Sequence, residues 1–281
     1  MSFHGLCRLL GGFYEQYLIP VLFMALSYGL VQNMPVESAF ALLAIMLGTL
    51  GDIAVNRVYD ADDDALEEWK RKTNPISNGE IGKSFSWIVC VGVYVLSTVF
   101  SILTNDDLFM VVLLVRNLFG FFYSAPPIRA KSKPVIDLLF HLTIIDVAPA
   151  FMAVVYTRNF TQIPLSLLGF MVINSLFTQT SQEIRDFDVD KKAKLKATVQ
   201  VLGERRANIL QKSLIVLLGI YVVLASAYCS YLYVTAFGII SLAYIVLNVG
   251  KSHREVHATR MRAVLIACVG VAAQLLAYSY L

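Results

Sequence analysis

The sequence predicts an all-α membrane protein, a bundle of nine transmembrane helices around a central cavity. Three observations predict this fold class. Hydrophobic residues make up 57% of the 281 residues and charged residues only 15%. The mean hydropathy of +0.66 is too high for a soluble domain of this length. The apolar residues also form long continuous runs, with the basic residues clustered between alternate runs.

Nine runs are long enough to cross a bilayer at about 20 residues each. They lie near residues 13–33, 36–56, 85–104, 108–124, 135–156, 163–183, 207–228, 230–250 and 262–281. The first run lacks a small-residue cleavage site, so we expect a retained span and no signal peptide. Because the spans use most of the chain, we expect one domain over residues 1–281. Spans 1–4 and 5–8 would form related halves, with span 9 appended.

The basic residues predict the orientation of these spans. Of the 23 lysines and arginines, all but Arg116 and Arg158 lie at the N-terminus or in the loops after spans 2, 4, 6 and 8. By the positive-inside rule the N-terminus and those loops are cytoplasmic, and the C-terminus is outside. The same placement argues against nucleic-acid binding, because the basic runs lie beside a membrane and lack interleaved aromatic residues.

The cysteines and histidines do not indicate a disulfide framework or a zinc site. Four cysteines are scattered without CxxC spacing, which favours small core residues over disulfides or zinc. His253 and His257 lie one turn apart with no third ligand nearby, so an interfacial role is expected. The sequence contains no P-loop, GxSxG or HExxH motif.

An acidic cluster ends the second predicted span. Asn56, Asp60 and Asp64 are spaced by four residues, and Asp52 extends the row one turn deeper. On a helix this spacing puts the side chains on one face, about 6 Å apart along the axis. Carboxylates this close repel one another unless cations neutralise them. Bridging Mg²⁺ ions that hold a diphosphate would suit such oxygen ligands; the alternative is an acidic helix end solvated at the membrane surface.

A second acidic cluster ends the sixth predicted span. Asp186 and Asp190 repeat the four-residue spacing, with Glu183 just before them. They follow Asp60 and Asp64 by 126 residues in both cases. Both clusters lie on the cytoplasmic side, in equivalent spans. This repetition predicts two matching halves that each bring one metal-binding face to a shared diphosphate site.

With these two motifs the chain resembles the UbiA superfamily of intramembrane prenyltransferases. The family's first motif, Asn-Asp-x2-Asp-x3-Asp, and its second, Asp-x3-Asp, match the two clusters. Residues Asn74–Gly79 resemble the family's Arg-Pro-Leu-x-Ser-Gly segment, and Tyr123–Lys131 resemble its Tyr-Ser-x-Pro-Pro-x-Arg-x-Lys segment. The landmarks run in the family's order from about residue 50 to residue 205, and nine spans is the family's number.

The resemblance implies Mg²⁺-dependent transfer of a prenyl group from an isoprenoid diphosphate to a lipophilic acceptor in the membrane. The expected metal ligands are Asn56, Asp60, Asp64, Asp186 and Asp190. Arg129 and Lys131 would neutralise the departing diphosphate, and Tyr123 could shield carbocation character through its ring face. Ser124, next to Tyr123 in the matched segment, is expected to help bind the donor, as are Lys70 and Lys72 from the loop after span 2. Interfacial anchoring is the alternative interpretation of these basic residues.

Two departures from the family pattern concern the acceptor side. The Arg-Pro pair that usually begins the first span is replaced by Gly12–Tyr17, and Arg57 stands where an aspartate is usual. Arg116 lies inside the bilayer on span 4, and an intramembrane charge normally faces a partner or a cavity. We therefore expect Arg116 to replace the missing arginine or to pair with Asp146 on span 5.

The acceptor stays open at this point. Family members prenylate aromatic rings, glycerol-linked lipids, haem or chlorophyll precursors and carotenoids. The altered first span argues mildly against a small carboxylated aromatic acceptor. Two other functions remain alternatives: an intramembrane terpene cyclase that uses the same diphosphate site without an acceptor, and a transporter. Against a transporter, the charges cluster at one membrane face and not at the midplane.

Overall fold

The computed structural model describes residues 3–11, 35–142, 147–160 and 162–229, and every regular element within these ranges is helical. The helices are α1 (Phe3–Leu10), α2 (Glu37–Asp64), α3 (Glu68–Thr73), α4 (Lys83–Ile102), α5 (Asp107–Ser124), α6 (Ile136–His141), α7 (Val147–Thr157), α8 (Gln162–Arg185), α9 (Phe187–Lys192), α10 (Thr198–Leu202) and α11 (Glu204–Cys229). A short 3₁₀ turn, Ala130–Ser132, lies between α5 and α6. The predicted all-α class is confirmed over these ranges.

Three of these helices, α2, α4 and α5, are long and apolar enough to cross a membrane. Helices α8 and α11 have 24 and 26 residues and match the predicted spans 6 and 7. The predicted span 135–156 covers two helices, α6 and α7. Residues 143–146, between them, are not among the described residues. The predicted spans 1, 8 and 9 lie largely or wholly outside the described residues.

Helix α4 shows how the sequence separates a lipid-facing side from a protein-facing side. Ile88, Val91 and Val95 are more than half exposed, whereas Ser97 and Ser101 are fully buried. Apolar side chains on the outer face suit a hydrocarbon solvent, and small residues on the inner face let helices approach closely. The protein is therefore an integral membrane bundle.

Helix α2 is the centre of the described bundle. It packs most extensively against α4 and α5, and more lightly against α1 and α7. One apolar cluster, which includes Phe109, Met152 and Leu218, fills the part of the core away from the acidic motifs. A second, which includes Leu9 and Val55, supports α2 on its other side. This packing fixes the helix that carries the first motif.

The two acidic motifs are built differently. Helix α2 continues without a break to Asp64, so the first motif lies on one helical face as predicted. Helix α8 instead ends at Arg185, and Asp186 is the N-cap residue of α9. The four-residue spacing indicated one continuous helical face for the second motif, but the helix breaks there. The Asp190 amide still donates to the Asp186 carbonyl oxygen at 2.8 Å, which preserves the one-turn spacing.

The loops that follow the two motifs contain short helices. Helix α3 follows the first motif, and α9 and α10 follow the second. The two loops also touch each other, because the Lys192 ammonium lies 2.6 Å from the Glu67 carboxylate. The segments that follow the two motifs thus meet at one face of the bundle.

A glycine allows the close approach of α5 to α2. A Cβ atom at Gly120 would overlap the Asp52 carboxylate, whereas one at Gly92 on α4 would meet nothing within 4 Å. We expect Gly120→Ala to lower the free energy of unfolding by about 1–3 kcal/mol, because the buried carboxylate has to shift. Thermal unfolding in detergent measures this effect, with Gly92→Ala as the matched control. Equal unfolding temperatures for the two variants would contradict it.

Candidate active site

Both acidic motifs line one cavity of about 520 Å³. From α2 the cavity is lined by Thr49, Asp52, Ile53, Asn56, Arg57, Asp60 and Asp64; from α8 and α9 by Gln179, Gln182, Glu183, Arg185, Asp186 and Asp190. Lys70, Tyr123 and Lys131 complete the set of predicted site residues in its wall. Residues more than 120 positions apart in the sequence therefore face a common space.

The first motif is fixed by side-chain hydrogen bonds from the segment that follows it. The Asn74 amide nitrogen donates to Asp64 Oδ2 at 2.8 Å and to the Arg57 carbonyl oxygen at 2.9 Å. The Ser77 hydroxyl donates to the Ala61 carbonyl oxygen at 2.6 Å. These bonds satisfy carbonyl groups near the end of α2 and hold Asp64 toward the cavity. They give a physical reason for the segment Asn74–Gly79, which the sequence identified only by resemblance.

Asn56 and Ser124 act as a pair. The Asn56 amide nitrogen donates to the Ser124 hydroxyl oxygen at 3.0 Å, which links α2 to the end of α5. With its nitrogen turned toward Ser124, the amide offers its oxygen as the ligand atom for a cation. Ser124 is buried behind Asn56, so its contribution to the site is to orient that amide.

Cations already surround the second motif. The Lys70 ammonium lies 3.2 Å from Asp186 Oδ2, and Arg185 contacts Asp186 Oδ1 at 2.5 Å. The Trp69 ring lies under both cations, 5.6 Å from Lys70 Nζ and 5.4 Å from the Arg185 guanidinium carbon. Burial raises the pKa of Asp186, but the hydrogen bonds and charges of Arg185 and Lys70 outweigh it and hold the pKa below its usual value.

Lys131 reaches the first motif from the 3₁₀ turn. Its ammonium contacts Asp60 Oδ1, and its side chain is largely buried. Burial lowers the pKa of Lys131 to about 7, although the charge of Asp190 opposes this effect. Burial likewise raises the pKa of Asp190 to about 6. Lys131 therefore lies between the two motifs, close to carboxylates from each.

Two other predicted cations are placed elsewhere. Arg129 pairs with Asp63 at 2.8 Å, and Lys72 pairs with Glu68 at 2.5 Å on an exposed face of α3. Neither residue lines the cavity, so their predicted contacts with the diphosphate remain predictions. Arg57, the departure from the family pattern, does line the cavity and donates to the Gly11 carbonyl oxygen at 2.6 Å.

Tyr123 belongs to a hydrogen-bonded row that the sequence did not reveal. Gln179 donates to the Tyr123 hydroxyl oxygen at 3.3 Å and to Glu183 Oε1 at 2.9 Å. Glu183 in turn accepts from the Val199 amide at 3.1 Å, at the start of α10. The row ties the cavity wall to the covering helix. The four-residue step from Gln179 to Glu183 was visible in the sequence, but their partners on α5 and α10 were not.

Arg116 makes an ion pair with Asp52. Arg116 Nη2 lies 2.5 Å from Asp52 Oδ2, and both side chains are about 5% exposed or less. Asp52 lines the cavity, whereas Arg116 lies behind it. Asp146, the partner that was expected, lies outside the described residues, as does the stretch Gly12–Tyr17 that lacks the usual arginine.

The donor set fits Mg²⁺. Asn56, Asp60, Asp64, Asp186 and Asp190 offer only oxygen ligands, which hard divalent cations prefer. Among the described residues, no three acidic, histidine or cysteine side chains already form a close group that could hold a metal. Lysine and arginine cations instead neutralise Asp60 and Asp186. Divalent cations brought in with a diphosphate would take over that neutralising role between the two motifs.

The protein is thus a membrane-embedded helical bundle in which two aspartate motifs and flanking lysines line one cavity. The sequence model of the UbiA prenyltransferase family matches residues 17–277 of the chain. The chain belongs to this family, and it is a prenyltransferase.

Solved structures support the same fold. A UbiA homologue from Archaeoglobus fulgidus bound to GPP and Mg²⁺ has 21% sequence identity and a TM-score of 0.74; the match covers 95% of this chain and 98% of that one. An apo UbiA homologue from Aeropyrum pernix K1 has 14% identity and a TM-score of 0.75, over 93% and 98% of the chains. A structure of a digeranylgeranylglyceryl phosphate synthase has 14% identity and a TM-score of 0.66, over 95% and 96%. No curated protein sequence matches the chain.

Proposed function

We propose that this protein uses Mg²⁺ to bind an isoprenoid diphosphate and transfers the prenyl group to a lipophilic acceptor within the membrane. The observation that carries this proposal is the convergence of both aspartate motifs on one cavity. The Archaeoglobus homologue, bound to GPP and Mg²⁺, supports the same class of donor and metal.

In the proposed reaction the diphosphate lies between the two motifs. Two carboxylates from each motif would hold the cations, Asp60 and Asp64 on one side and Asp186 and Asp190 on the other. Asn56 would add an amide oxygen. When bound, Mg²⁺ neutralises the diphosphate and makes it a better leaving group. Lys131 and Lys70 face the space between the motifs and stabilise the charge that develops on the departing diphosphate.

The bond changes follow from this arrangement. The bond between prenyl C1 and the diphosphate oxygen breaks, and its electron pair leaves with the diphosphate. The acceptor's nucleophilic atom forms a bond to C1 and loses its proton. The Tyr123 ring, in the cavity wall, shields the positive character at C1. The covering helices α3, α9 and α10 exclude water, which would otherwise capture C1 and consume the donor.

We also propose how the chain crosses the membrane. Nine spans in one domain, with spans 1–4 and 5–8 as related halves, account for the 126-residue offset between the motifs. By the positive-inside rule, the basic loops after spans 2, 4, 6 and 8 support a cytoplasmic location for the N-terminus and the active-site loops. The water-soluble diphosphate then enters and leaves on the cytoplasmic side, while the prenyl chain stays among the helices.

The test is turnover of radiolabelled geranylgeranyl diphosphate by the purified protein in detergent. We expect a labelled lipid product only when Mg²⁺ and a membrane lipid extract are both present, and none with a chelator. Product in the absence of extract would identify the terpene cyclase instead. Failure to turn over or to bind any prenyl diphosphate with Mg²⁺ would contradict the diphosphate site itself.

A further inference from the structure

The inner end of the cavity contains a buried ion pair that the donor site does not use. Asp52 and Thr49 line the cavity on the same helix as Asn56 and Asp60. Asp52 lies eight residues before Asp60, about 12 Å deeper along the helix axis. In the proposed reaction it therefore lies below the diphosphate, on the membrane side of both motifs, where the prenyl chain would lie.

Side chains from two neighbouring helices contact the Asp52 carboxylate. The Tyr94 hydroxyl on α4 donates to Asp52 Oδ1 at 2.7 Å, and Arg116 Nη2 on α5 lies 2.5 Å from Asp52 Oδ2. Arg116 also donates to the Thr49 hydroxyl oxygen and to the Asn117 side-chain oxygen, both at 3.1 Å. These contacts hold the carboxylate in one orientation at the cavity wall.

Burial of this ion pair costs free energy, and two glycines leave the space that its side chains occupy. Burying two charges inside a membrane bundle carries a desolvation penalty that an apolar pair of similar size avoids. The absence of a side chain at Gly120 leaves the space that the Asp52 carboxylate occupies, and Gly48 does the same for the Asn117 amide. An intramembrane ionisable group in a cavity wall points to a functional site.

A carboxylate at this position can accept the proton that the acceptor loses, a role that no residue of the donor site has been given. The acceptor must lose a proton when it bonds to prenyl C1, and C1 lies just below the diphosphate. A carboxylate has about four lone-pair directions, and the contacts from Tyr94 and Arg116 take one on each oxygen. Asp52 Oδ2 is fully buried beside Arg116, so Oδ1 is the oxygen that can also accept a hydrogen bond from a group in the cavity. Gln179 and His141 add further polar groups to the wall.

From this geometry we infer that the inner end of the cavity is a subsite for an acceptor with a hydroxyl group, and that Asp52 receives the hydroxyl proton. The inference rests on the proposed prenyl transfer. The acceptor oxygen forms a bond to C1, the bond from C1 to the diphosphate breaks with its electron pair on the diphosphate, and the hydroxyl proton moves to Asp52. Arg116 and Tyr94 are positioning residues that orient the carboxylate.

The test separates donor binding from transfer in the full-length protein. Binding of geranyl diphosphate with Mg²⁺ is measured for wild type, Asp52→Asn and Asp60→Asn. Transfer is then measured with three probes: 1-O-hexadecylglycerol and 4-nonylphenol as hydroxyl acceptors, and squalene as a hydrocarbon. We expect Asp52→Asn to bind the donor within about threefold of wild type but to transfer about 100-fold more slowly to the hydroxyl probes. Mass spectrometry should show an ether-linked product.

A double variant separates chemistry from structure. Asp52→Asn with Arg116→Gln removes both charges together, so no unpaired charge is left buried. If the pair were only structural, the double variant would recover transfer; if Asp52 takes the proton, it stays inactive while it binds the donor. The inference would be overturned if wild-type protein bound the donor but prenylated only squalene or none of the probes. Unchanged transfer by Asp52→Asn, or loss of donor binding by Asp52→Asn, would also overturn it. Loss of donor binding by wild type would instead refute the proposed function.

Discussion

Asp60→Asn and Asp186→Asn should each reduce transfer by more than about 10³-fold. Each removes one carboxylate charge from the cavity that both motifs line. Because the motifs hold cations around one diphosphate, losing either side removes binding and charge stabilisation together. Steady-state transfer of radiolabelled geranylgeranyl diphosphate to the lipid extract measures the effect.

Matched controls lie within a few residues of each site. Asp62→Asn and Asp188→Asn remove exposed carboxylates next to the same motifs. Asp62 makes a surface ion pair with Lys83 at 3.2 Å. Both controls should keep activity within about twofold, because exposed pairs contribute little. Equal losses in Asp60→Asn and Asp62→Asn would mean that the effect is a general response to reduced charge at this face.

Lys131→Gln should reduce transfer by about 10²–10³-fold, with a smaller effect on donor binding. Lys131 is the buried cation that contacts Asp60 and lies near Asp190. A cation held between the motifs stabilises the diphosphate most strongly as it departs, so the loss should fall mainly on kcat. Rapid-quench single-turnover kinetics with saturating donor measure the chemical step directly.

Lys133→Gln is the control for this prediction. Lys133 is exposed two residues further along the same loop, and its substitution should leave the single-turnover rate within about twofold. A Lys131→Gln variant with a normal single-turnover rate and a raised donor Kd would show that Lys131 only binds the donor. That result would contradict its proposed role in stabilising the leaving group.

The helices and the two motifs were predictable because their signals are local. Long apolar runs define α4 and α5, and the four-residue spacing of Asn56, Asp60 and Asp64 requires only helical geometry. The convergence of the motifs could be inferred from their equal 126-residue offset and their common membrane side. The break of α8 at Arg185 was missed, because no proline or glycine marks it in the sequence.

The partners of the charged side chains could not be predicted, because they depend on packing between distant segments. The sequence placed Arg129 and Lys131 in one short loop with the same expected role. In the structure Lys131 reaches Asp60 in the cavity, whereas Arg129 turns toward Asp63. The pairing of Arg116 with Asp52, 64 residues apart, likewise depends on the contact between α2 and α5.

The most direct test of the account is equilibrium binding of geranyl diphosphate, titrated with Mg²⁺, to four forms of the protein. These are wild type, the single variants Asp60→Asn and Asp186→Asn, and the double variant. If both motifs hold one diphosphate, each single variant loses Mg²⁺-dependent binding almost completely, and the double variant is little worse than either. Binding that needs no Mg²⁺, or that survives in the double variant, would contradict the shared diphosphate site.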